Sequence, residues 1–429
     1  MFAGAYSFSG DKNPKEIVDI DDWKTALFPR AKPETFGHLS ADKILLAEGG
    51  LTSSSETLGE KSDLPKSSGD LTIAFWGRLD NRASLISQLK LSEEKNHSDR
   101  AILLEGWRQW GRALPEKLIG DFAFAIFDSA KQELFLARDP LGVKPLYYWA
   151  SKNNLLFSTS SAAFRVLKDS KPTPDPDWIA RFINGVSMSF DSTAYIEVKK
   201  VPPGHSLFVD RSGESQLRKW HEWKDDAPFA TERDPKWVEE YREILEESIR
   251  CRMTGEYPIA TENSGGIDSA TITAYLAKFI GTPGDKLHAF SLCRTEKEPG
   301  YILETSQRSG IEHNYIRTAG SGSMEDGVRR LRSAIKILGY PGEHGNGAGY
   351  VPFYKECELR GIRTLHSGYG GDEVVTNPGR QLRLELIDSK NFRAFWGLKQ
   401  VKNPLRRVLS LGKIMAIGRE NLEFPRYAE

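Results

Sequence analysis

Residues 264–269 read Ser-Gly-Gly-Ile-Asp-Ser, and this short loop constrains the chain more than any other feature. The apolar residues 257–260 precede the loop, and a run with apolar residues at helical spacing follows it: Ile272, Tyr275, Leu276 and Phe279. The pattern predicts a strand, a glycine turn and a helix, in which backbone N–H groups and the positive end of the helix face an anion. Adjacent glycines let the backbone approach a phosphate closely.

The side chains of the loop suit ATP and its metal ion. Asp268 supplies a hard oxygen ligand for Mg²⁺, and Ser264 and Ser269 offer hydroxyl groups to phosphate oxygens. No Gly-Lys-Ser/Thr follows, so this is not the Walker phosphate loop. The loop resembles the pyrophosphate loop of the ATP pyrophosphatase superfamily, which implies cleavage of ATP between the α and β phosphates. An ordinary glycine turn, with Ser269 near the helix N-cap, is the alternative.

A second glycine loop, Ser-Gly-Tyr-Gly-Gly-Asp-Glu, occupies residues 367–373 and follows a short predicted strand at 361–366. Residues 287–292 between the loops predict a buried strand, and residues 301–308 predict a helix. Alternating strands and helices imply a parallel sheet, and such sheets bind ligands at the carboxyl ends of their strands. We therefore expect the two loops to meet at one edge, with Asp268 and Asp372 binding one Mg²⁺ ion together.

Both loops resemble those of the asparagine synthetase family, which read SGGxDS and SGxGxDE. One departure is the polar run 261–263, where the family has apolar residues. The resemblance implies that the following residues contact ATP: Ser264, Gly265, Gly266, Asp268, Ser269, Leu292, Ser367 and Gly368.

The N-terminal half has the pattern of an antiparallel meander, with strands predicted at 118–128, 133–138, 145–149 and 155–159 and turns between them. The amino-acid sequence of this half, taken as a whole, resembles the glutamine amidotransferase domain of the same family. The expected fold is an α+β sandwich of antiparallel sheets, of the N-terminal-nucleophile (Ntn) type, followed by a parallel-sheet α/β adenylating domain. We place the domains at 1–215 and 237–429, joined by a linker at 216–236.

The amidotransferase-like domain lacks the residues of glutamine hydrolysis. The resemblance implies an N-terminal cysteine nucleophile, but the chain begins Met1-Phe2 and has no cysteine before Cys251. Trp76-Gly77 stands where the family has an oxyanion-binding Asn-Gly pair, and Arg78 where it has an acidic residue. We therefore expect no glutaminase activity, and a domain that serves as a scaffold or docking surface.

Composition excludes several function classes. The chain has 59 basic and 59 acidic residues, so charge offers no case for nucleic acid or an anionic membrane. The cysteines and histidines show no ligand spacing that predicts a zinc site or a disulfide framework. Neither a signal peptide nor a membrane-spanning run is evident, and we expect a cytoplasmic protein. The apolar stripe of the helix predicted at 237–252 is interpreted as core packing.

The resemblance also implies a longer synthetase domain, with a late lysine that binds the α-phosphate. We assign that lysine to no residue of this chain, and we expect the synthetase domain to be short at its C-terminal end. A non-catalytic scaffold or fragment is therefore one alternative.

Tyr369 bears on the reaction. Ring-closing relatives that lack the N-terminal cysteine, the lasso peptide cyclases and β-lactam synthetases, carry an aromatic residue at this place. Tyr369 is the candidate proton acceptor for the attacking amine, with Glu385 as the nearest candidate partner, or else it only stacks on substrate or packs the loop.

The leading hypothesis is a lasso peptide macrolactam synthetase that uses ATP and Mg²⁺ to join a peptide amine to an Asp or Glu side chain, releasing AMP and pyrophosphate. Holding the amine and the activated carboxyl together makes the step intramolecular. The expected partners are a precursor peptide, a leader peptidase and a leader-binding protein. An ammonia-dependent asparagine synthetase and a β-lactam-type synthetase remain the enzymatic alternatives.

Overall fold

The computed structural model describes residues 1–8, 13–30, 32–50, 64–92, 97–184, 189–223, 235–253, 257–281, 284–293, 300–317, 324–341 and 350–371. The N-terminal half of this part contains two antiparallel sheets of six described strands each. The first sheet holds, in spatial order, β10 (Lys199–Lys200), β8 (Tyr147–Ala150), β9 (Asn154–Ser158), β1 (Phe2–Ser7), β3 (Ile44–Gly50) and β2 (Thr35–Ser40). The second holds β12 (Ser215–Lys219), β11 (His205–Val209), β7 (Glu133–Arg138), β6 (Gly120–Asp128), β5 (Leu71–Leu79) and β4 (Lys66–Ser68).

Strand β6 shows why these residues form a sandwich. Its side chains alternate between two cores, because successive residues of a strand point to opposite faces of the sheet. Ala123, Ala125 and Phe127 pack with the first sheet, around Phe2 and Tyr6. The intervening residues pack against helices on the outer face: Phe122, Phe124 and Ile126. The predicted antiparallel sandwich is therefore confirmed.

Helices cover both outer faces of the sandwich. Helices α2 (Arg82–Gln88) and α3 (Asp99–Trp110) supply Leu85 and Ile102 to the core on the second sheet. Helix α1 (Ile20–Leu27) packs Trp23 and Leu27 against the first sheet. Helix α4 (Pro176–Ile183) follows later in the chain. The layers are thus helix, sheet, sheet and helix.

The C-terminal half contains a parallel sheet, as the sequence predicts. Its described strands lie in the order β15 (His313–Arg317), β14 (Leu287–Cys293), β13 (Ile259–Glu262) and β16 (Thr364–His366). The described helices of this half are α5 (Pro235–Arg250), α6 (Ile267–Ile280), α7 (Gly300–Ser309), α8 (Met324–Leu338) and α9 (Val351–Leu359). Ile259 of the central strand pairs with Leu287 on one side and Thr364 on the other, so both glycine loops leave the same edge of the sheet.

The core-packing interpretation of helix α5 is wrong for most of its length. Trp237, Val238 and Ile244 are 48, 57 and 65% exposed, whereas Ile249 near the helix end is 3% exposed. The stripe has the right spacing, but only the end of the helix, with Leu245, reaches the core around α6. Amphipathic spacing predicts a helix and its apolar face, not which partner covers that face.

The two halves are linked directly by side-chain contacts. Strand β12 continues to Lys219, inside the linker predicted at 216–236, and its Leu217 pairs with Leu207 in the second sheet. The Tyr195 hydroxyl donates to the Gly339 carbonyl at 2.5 Å, and the Ser161 hydroxyl to the Leu338 carbonyl at 2.7 Å. Within the described residues, no helix is long and apolar enough to span a membrane.

Candidate active site at the glycine loops

The first glycine loop joins β13 to α6 and leaves the start of that helix uncapped. Gly265 has φ +77°, and a Cβ there would lie 3.0 Å from Ile302, so both its conformation and its surroundings favour glycine. Gly266 occupies the N-cap position of α6 and provides no side-chain hydrogen bond to the first turn. The first N–H groups of a helix need partners, and a bound anion supplies them. The loop therefore has the form of an anion cradle.

Internal hydrogen bonds hold the loop in this shape. The Ser264 N–H donates to the Ser269 hydroxyl oxygen at 3.1 Å, and that hydroxyl donates to the Gly266 carbonyl, also at 3.1 Å. The Gly265 N–H donates to the Asn263 side chain at 3.2 Å. The two serines predicted to contact phosphate are thus engaged with each other, their hydroxyl oxygens 3.0 Å apart. Their contact with ATP stays a prediction.

The structure brings the second glycine loop against the first. A Cβ on Gly368 would lie 2.6 Å from the Ser269 backbone nitrogen, and a Cβ on Gly371 would overlap the Asp268 carboxyl group. Glycine is required at 368 because the two loops approach backbone to backbone there, whereas a side chain at 371 would displace the Asp268 carboxyl group. The Asp268 side chain therefore lies where the two loops meet.

The other predicted site residues are placed less completely. Leu292 belongs to β14, beside the central strand. Tyr369 is 66% exposed, its N–H donates to the Ser367 hydroxyl at 2.9 Å, and no hydrogen bond of its own hydroxyl is found among the described residues. Asp372 and Glu385 lie outside the described residues. The role of Tyr369 as proton acceptor stays a prediction.

The predicted magnesium ion would bind at the same junction. In the described part of the chain, no group of three His, Cys, Asp or Glu side chains is arranged as a metal site. A magnesium ion held by one or two carboxylates and by substrate phosphates needs no such group. The glycine junction at Asp268, next to an uncapped helix N-terminus, fits a polyphosphate with its ion.

The sequence analysis missed a hydrogen-bonded pair beside the loops. The Tyr350 hydroxyl donates to Glu262 Oε2 at 3.2 Å, and Glu262 Oε1 is buried with no hydrogen-bond partner among the residues that the structure describes. Burial raises the pKa of the Glu262 carboxyl, which the Tyr350 and Ser367 hydroxyls oppose. Burial and the nearby carboxylate raise the pKa of Tyr350 to about 12. The polar run 261–263 was the available signal, but the partner at 350 had none.

The amidotransferase half has a packed core where the family has its nucleophile. Phe2 has no exposed surface and stacks edge-on against Phe157, with ring centroids 6.4 Å apart. Its N–H donates to the Thr159 hydroxyl at 3.0 Å. The Met1 ammonium group donates to the Gly49 carbonyl at 2.6 Å, and burial lowers its pKa to about 5. Trp76 packs on the same core. No reactive side chain occupies position 2.

Arg78 joins the two halves in a charged network. It donates to Asp80 at 2.5 Å and to Asp121 at 2.9 Å. Arg252, which follows α5, lies 3.3 Å from the same Asp80 carboxylate. Next to them His366, at the end of β16, is 8% exposed, and burial together with Arg78 and Arg252 lowers its pKa to about 4. The charge of Arg78, a substituted position of the amidotransferase half, thus acts on His366 of the strand that precedes the second loop.

A layered antiparallel sandwich, joined to a parallel sheet with two converging glycine loops, defines a class of two-part proteins: an amidotransferase-like half and an ATP-pyrophosphatase-type half. Two family models match the chain accordingly. The glutamine amidotransferase domain matches residues 3–221, and asparagine synthase matches residues 240–425. The chain belongs to the asparagine synthetase family.

Individual relatives are distant and longer. Amidase chry2 of Gibberella zeae is 29% identical over 65% of this chain and 42% of its own length. Asparagine synthetase [glutamine-hydrolyzing] 3 of Bacillus subtilis is 26% identical over 71% of this chain and 51% of its own. A putative asparagine synthetase of Methanocaldococcus jannaschii is 26% identical over 71% and 58%. The chain spans about half the length of the curated relatives it matches.

Proposed function

We propose that this chain is an ATP-dependent amide ligase of the cytoplasm that adenylates a carboxylate, releases AMP and pyrophosphate, and passes the acyl group to an amine. The observation that carries the proposal is the junction of the two glycine loops, where Gly371 lies against the Asp268 carboxyl group and Gly368 against the start of α6. Because glycines pack so closely at this edge of the sheet, backbone N–H groups line it, and such groups bind phosphate oxygens.

Each part of the junction has a task in this reaction. The uncapped N-terminus of α6 binds the phosphates and stabilises charge that develops on the leaving pyrophosphate. Asp268, with Asp372, would hold Mg²⁺, which neutralises phosphate charge when bound. The second loop holds the carboxylate of the substrate next to the α-phosphate of ATP. Positioning and charge stabilisation account for most of the expected acceleration.

We further propose that the amine does not come from glutamine. Hydrolysis of glutamine requires an accessible nucleophile, and Phe2 fills that place with a buried aromatic ring. Trp76 provides no side-chain amide to an oxyanion. The acceptor is therefore free ammonia or an amine of the substrate itself.

A peptide substrate is the preferred version of the proposal. It is supported by the exposed Tyr369 beside three glycines, because an open edge with small residues leaves room for a folded peptide. In this version the enzyme closes a macrolactam between the N-terminal amine and an Asp or Glu side chain, after a leader peptidase and a leader-binding protein have delivered the precursor. An ammonia-dependent asparagine synthetase is the second candidate; two of the relatives above are named asparagine synthetases, although both names specify glutamine hydrolysis.

The test is AMP release from ATP and Mg²⁺, with the Asp268→Ala protein as the blank. The assay compares three sets of substrates: aspartate with ammonium chloride, aspartate with glutamine, and precursor peptides with a free N-terminal amine. A peptide-dependent AMP signal with a product one water lighter supports the macrolactam version. Asparagine formed from aspartate and ammonium contradicts it and favours the second candidate. Glutamine that replaces ammonium contradicts the loss of glutaminase, and absence of AMP with every substrate rejects the ligase.

A further inference from the structure

The polar run 261–263 at the end of β13 divides its side chains between two faces of the sheet. Thr261 faces α6, where its hydroxyl lies 3.0 Å from the Thr273 hydroxyl. Asn263 faces α7 and donates to the Ile302 carbonyl at 3.3 Å. Glu262 points the other way, to Tyr350 at the start of α9. Thr261 and Asn263 thus have partners that explain their polarity, and Glu262 is the member with an oxygen left over.

Among the described residues, that oxygen, Glu262 Oε1, is buried and has no hydrogen-bond partner, while Oε2 accepts from the Tyr350 hydroxyl at 3.2 Å. The Ser367 hydroxyl lies near the same carboxyl and opposes the rise of its pKa, but no hydrogen bond from it to Oε1 is found. A buried carboxylate oxygen without a partner costs free energy, and such a group in a native structure requires an explanation, such as a catalytic role, an ordered water or a bound ligand. Tyr350 fixes the carboxylate by one oxygen, so the other has a defined direction. The position of the pair beside the second glycine loop makes it a candidate for half of a binding site.

The location of the pair restricts what binds there. Thr261 pairs with His366 in the parallel ladder, so Glu262 lies beside Ser367, the first residue of the second glycine loop. The reacting phosphates and the substrate carboxylate are anionic and are repelled by Glu262. In the part of the chain that the structure describes, no additional carboxylates gather there to make a metal site. Among the reactants of an amide ligase, the amine alone carries positive charge at neutral pH.

We propose that Glu262, oriented by Tyr350, is the subsite that binds the positively charged primary amine of the acyl acceptor. The inference rests on the ligase function proposed above for the class of reactant, and on the Glu262–Tyr350 geometry for the site. An ammonium group provides the donor that Oε1 lacks and offsets a carboxylate charge that burial disfavours. Glu262 is then a specificity-determining residue: it selects an amine near the activated carboxyl and leaves ATP binding to the loops.

The experiment measures amine binding without turnover. Methylammonium chloride is titrated against the full chain, with sodium chloride at equal ionic strength as the blank, and the rise in thermal midpoint gives an apparent affinity. Glu262→Gln keeps the shape of the side chain and an acceptor for Tyr350 but removes the charge. Glu304→Gln, on the exposed face of α7, is the matched control. ATP affinity is measured in parallel for each protein.

We expect Glu262→Gln to weaken methylammonium binding by about tenfold or more, while ATP affinity changes by less than about twofold. Tyr350→Phe loses the orienting hydroxyl and is expected to weaken binding by about threefold, which provides a second test if Glu262→Gln does not fold. Equal methylammonium affinity in folded wild type and Glu262→Gln overturns the proposal, as does a wild type that methylammonium does not stabilise. Loss of ATP affinity alone also overturns it, because the carboxylate then serves the nucleoside.

These outcomes separate the two proposals. If no substrate produces AMP but methylammonium binding depends on Glu262, the ligase proposal fails and the amine site stands. If AMP and amide form at equal rates in wild type and Glu262→Gln over a range of amine concentrations, the ligase stands and the amine site fails.

Discussion

The two halves of this chain differ at the places where the family has its two reaction centres: one is filled by core side chains and the other is open. At the N-terminal end, position 2 holds a phenylalanine with no exposed surface, locked between two sheets. At the C-terminal end, the loops at 264–269 and 367–371 leave Ile267 69% and Tyr369 66% exposed, above an uncapped helix. A position with no role in the reaction can become part of the core, whereas a ligand site retains glycines, an uncapped helix N-terminus and exposed apolar side chains that packing alone disfavours.

We expect the largest change in stability from a substitution at Phe2, in the packed core of the N-terminal half. Phe2→Ala removes a ring from a close-packed core and leaves a cavity, so we expect a loss of about 3–5 kcal/mol in the free energy of unfolding. Urea unfolding followed by tryptophan fluorescence measures it. Phe190→Ala is the control, since Phe190 is 45% exposed and should cost far less. A small loss for Phe2→Ala would mean that position 2 is not sealed, and would revive the search for a pocket there.

The second effect separates activity from stability at the open end. Gly368→Ala forces a Cβ toward the Ser269 nitrogen and pushes the two loops apart, so we expect AMP formation to fall by about 100-fold with little change in unfolding. Gly327→Ala in α8 is the control, because a Cβ there meets no atom within 4 Å. Unchanged AMP formation in Gly368→Ala would show that the loop junction is not the reacting site.

The third prediction concerns the region where the two halves meet, in which His366 should make the free energy of unfolding depend on pH. The pKa of His366 falls from 6.5 to about 4 on folding, so the unfolded chain binds its proton first as pH decreases. This contribution to stability is present above pH 6.5 and is lost as pH falls toward 4, by about 2 kcal/mol at pH 5.

Urea unfolding at pH 7 and pH 5 should therefore show a smaller difference for His366→Gln than for wild type. Some difference remains in the variant, because burial lowers the pKa of His313 to about 4 as well. Equal differences in the two proteins would contradict a neutral, buried His366 next to Arg78 and Arg252.

The smallest expected effect concerns the ion pairs that link the two halves. Arg252→Ala removes one cation from a network in which Arg78 still pairs with Asp80 and Asp121, so we expect a loss of about 0.5–1 kcal/mol. Arg78→Ala should cost more, because it removes the ion pairs with both Asp80 and Asp121. Unfolding at low and high salt measures both, and a larger cost for Arg252→Ala would reverse this account of the network.

Much of the fold could be predicted because it depends on spacing along the chain. Strand β7 was predicted at its observed bounds, and β6 within two residues, since alternation and turn residues are local signals. The parallel sheet followed from the order of strands and helices. The stripe of α5 shows the limit: its period is right, but Trp237 and Ile244 remain exposed, because burial depends on what packs nearby.

Local sequence patterns were enough to predict the two glycine loops, the meander, and the lack of a cysteine at position 2. Each of these depends on residue identity and on spacings of two to four residues. Three-dimensional packing was needed to show that Gly371 lies against Asp268, that Phe2 is core, and that Glu262 meets Tyr350 across 88 positions of the chain. Such contacts depend on how whole elements pack, and residues distant in sequence carry no local signal of their meeting.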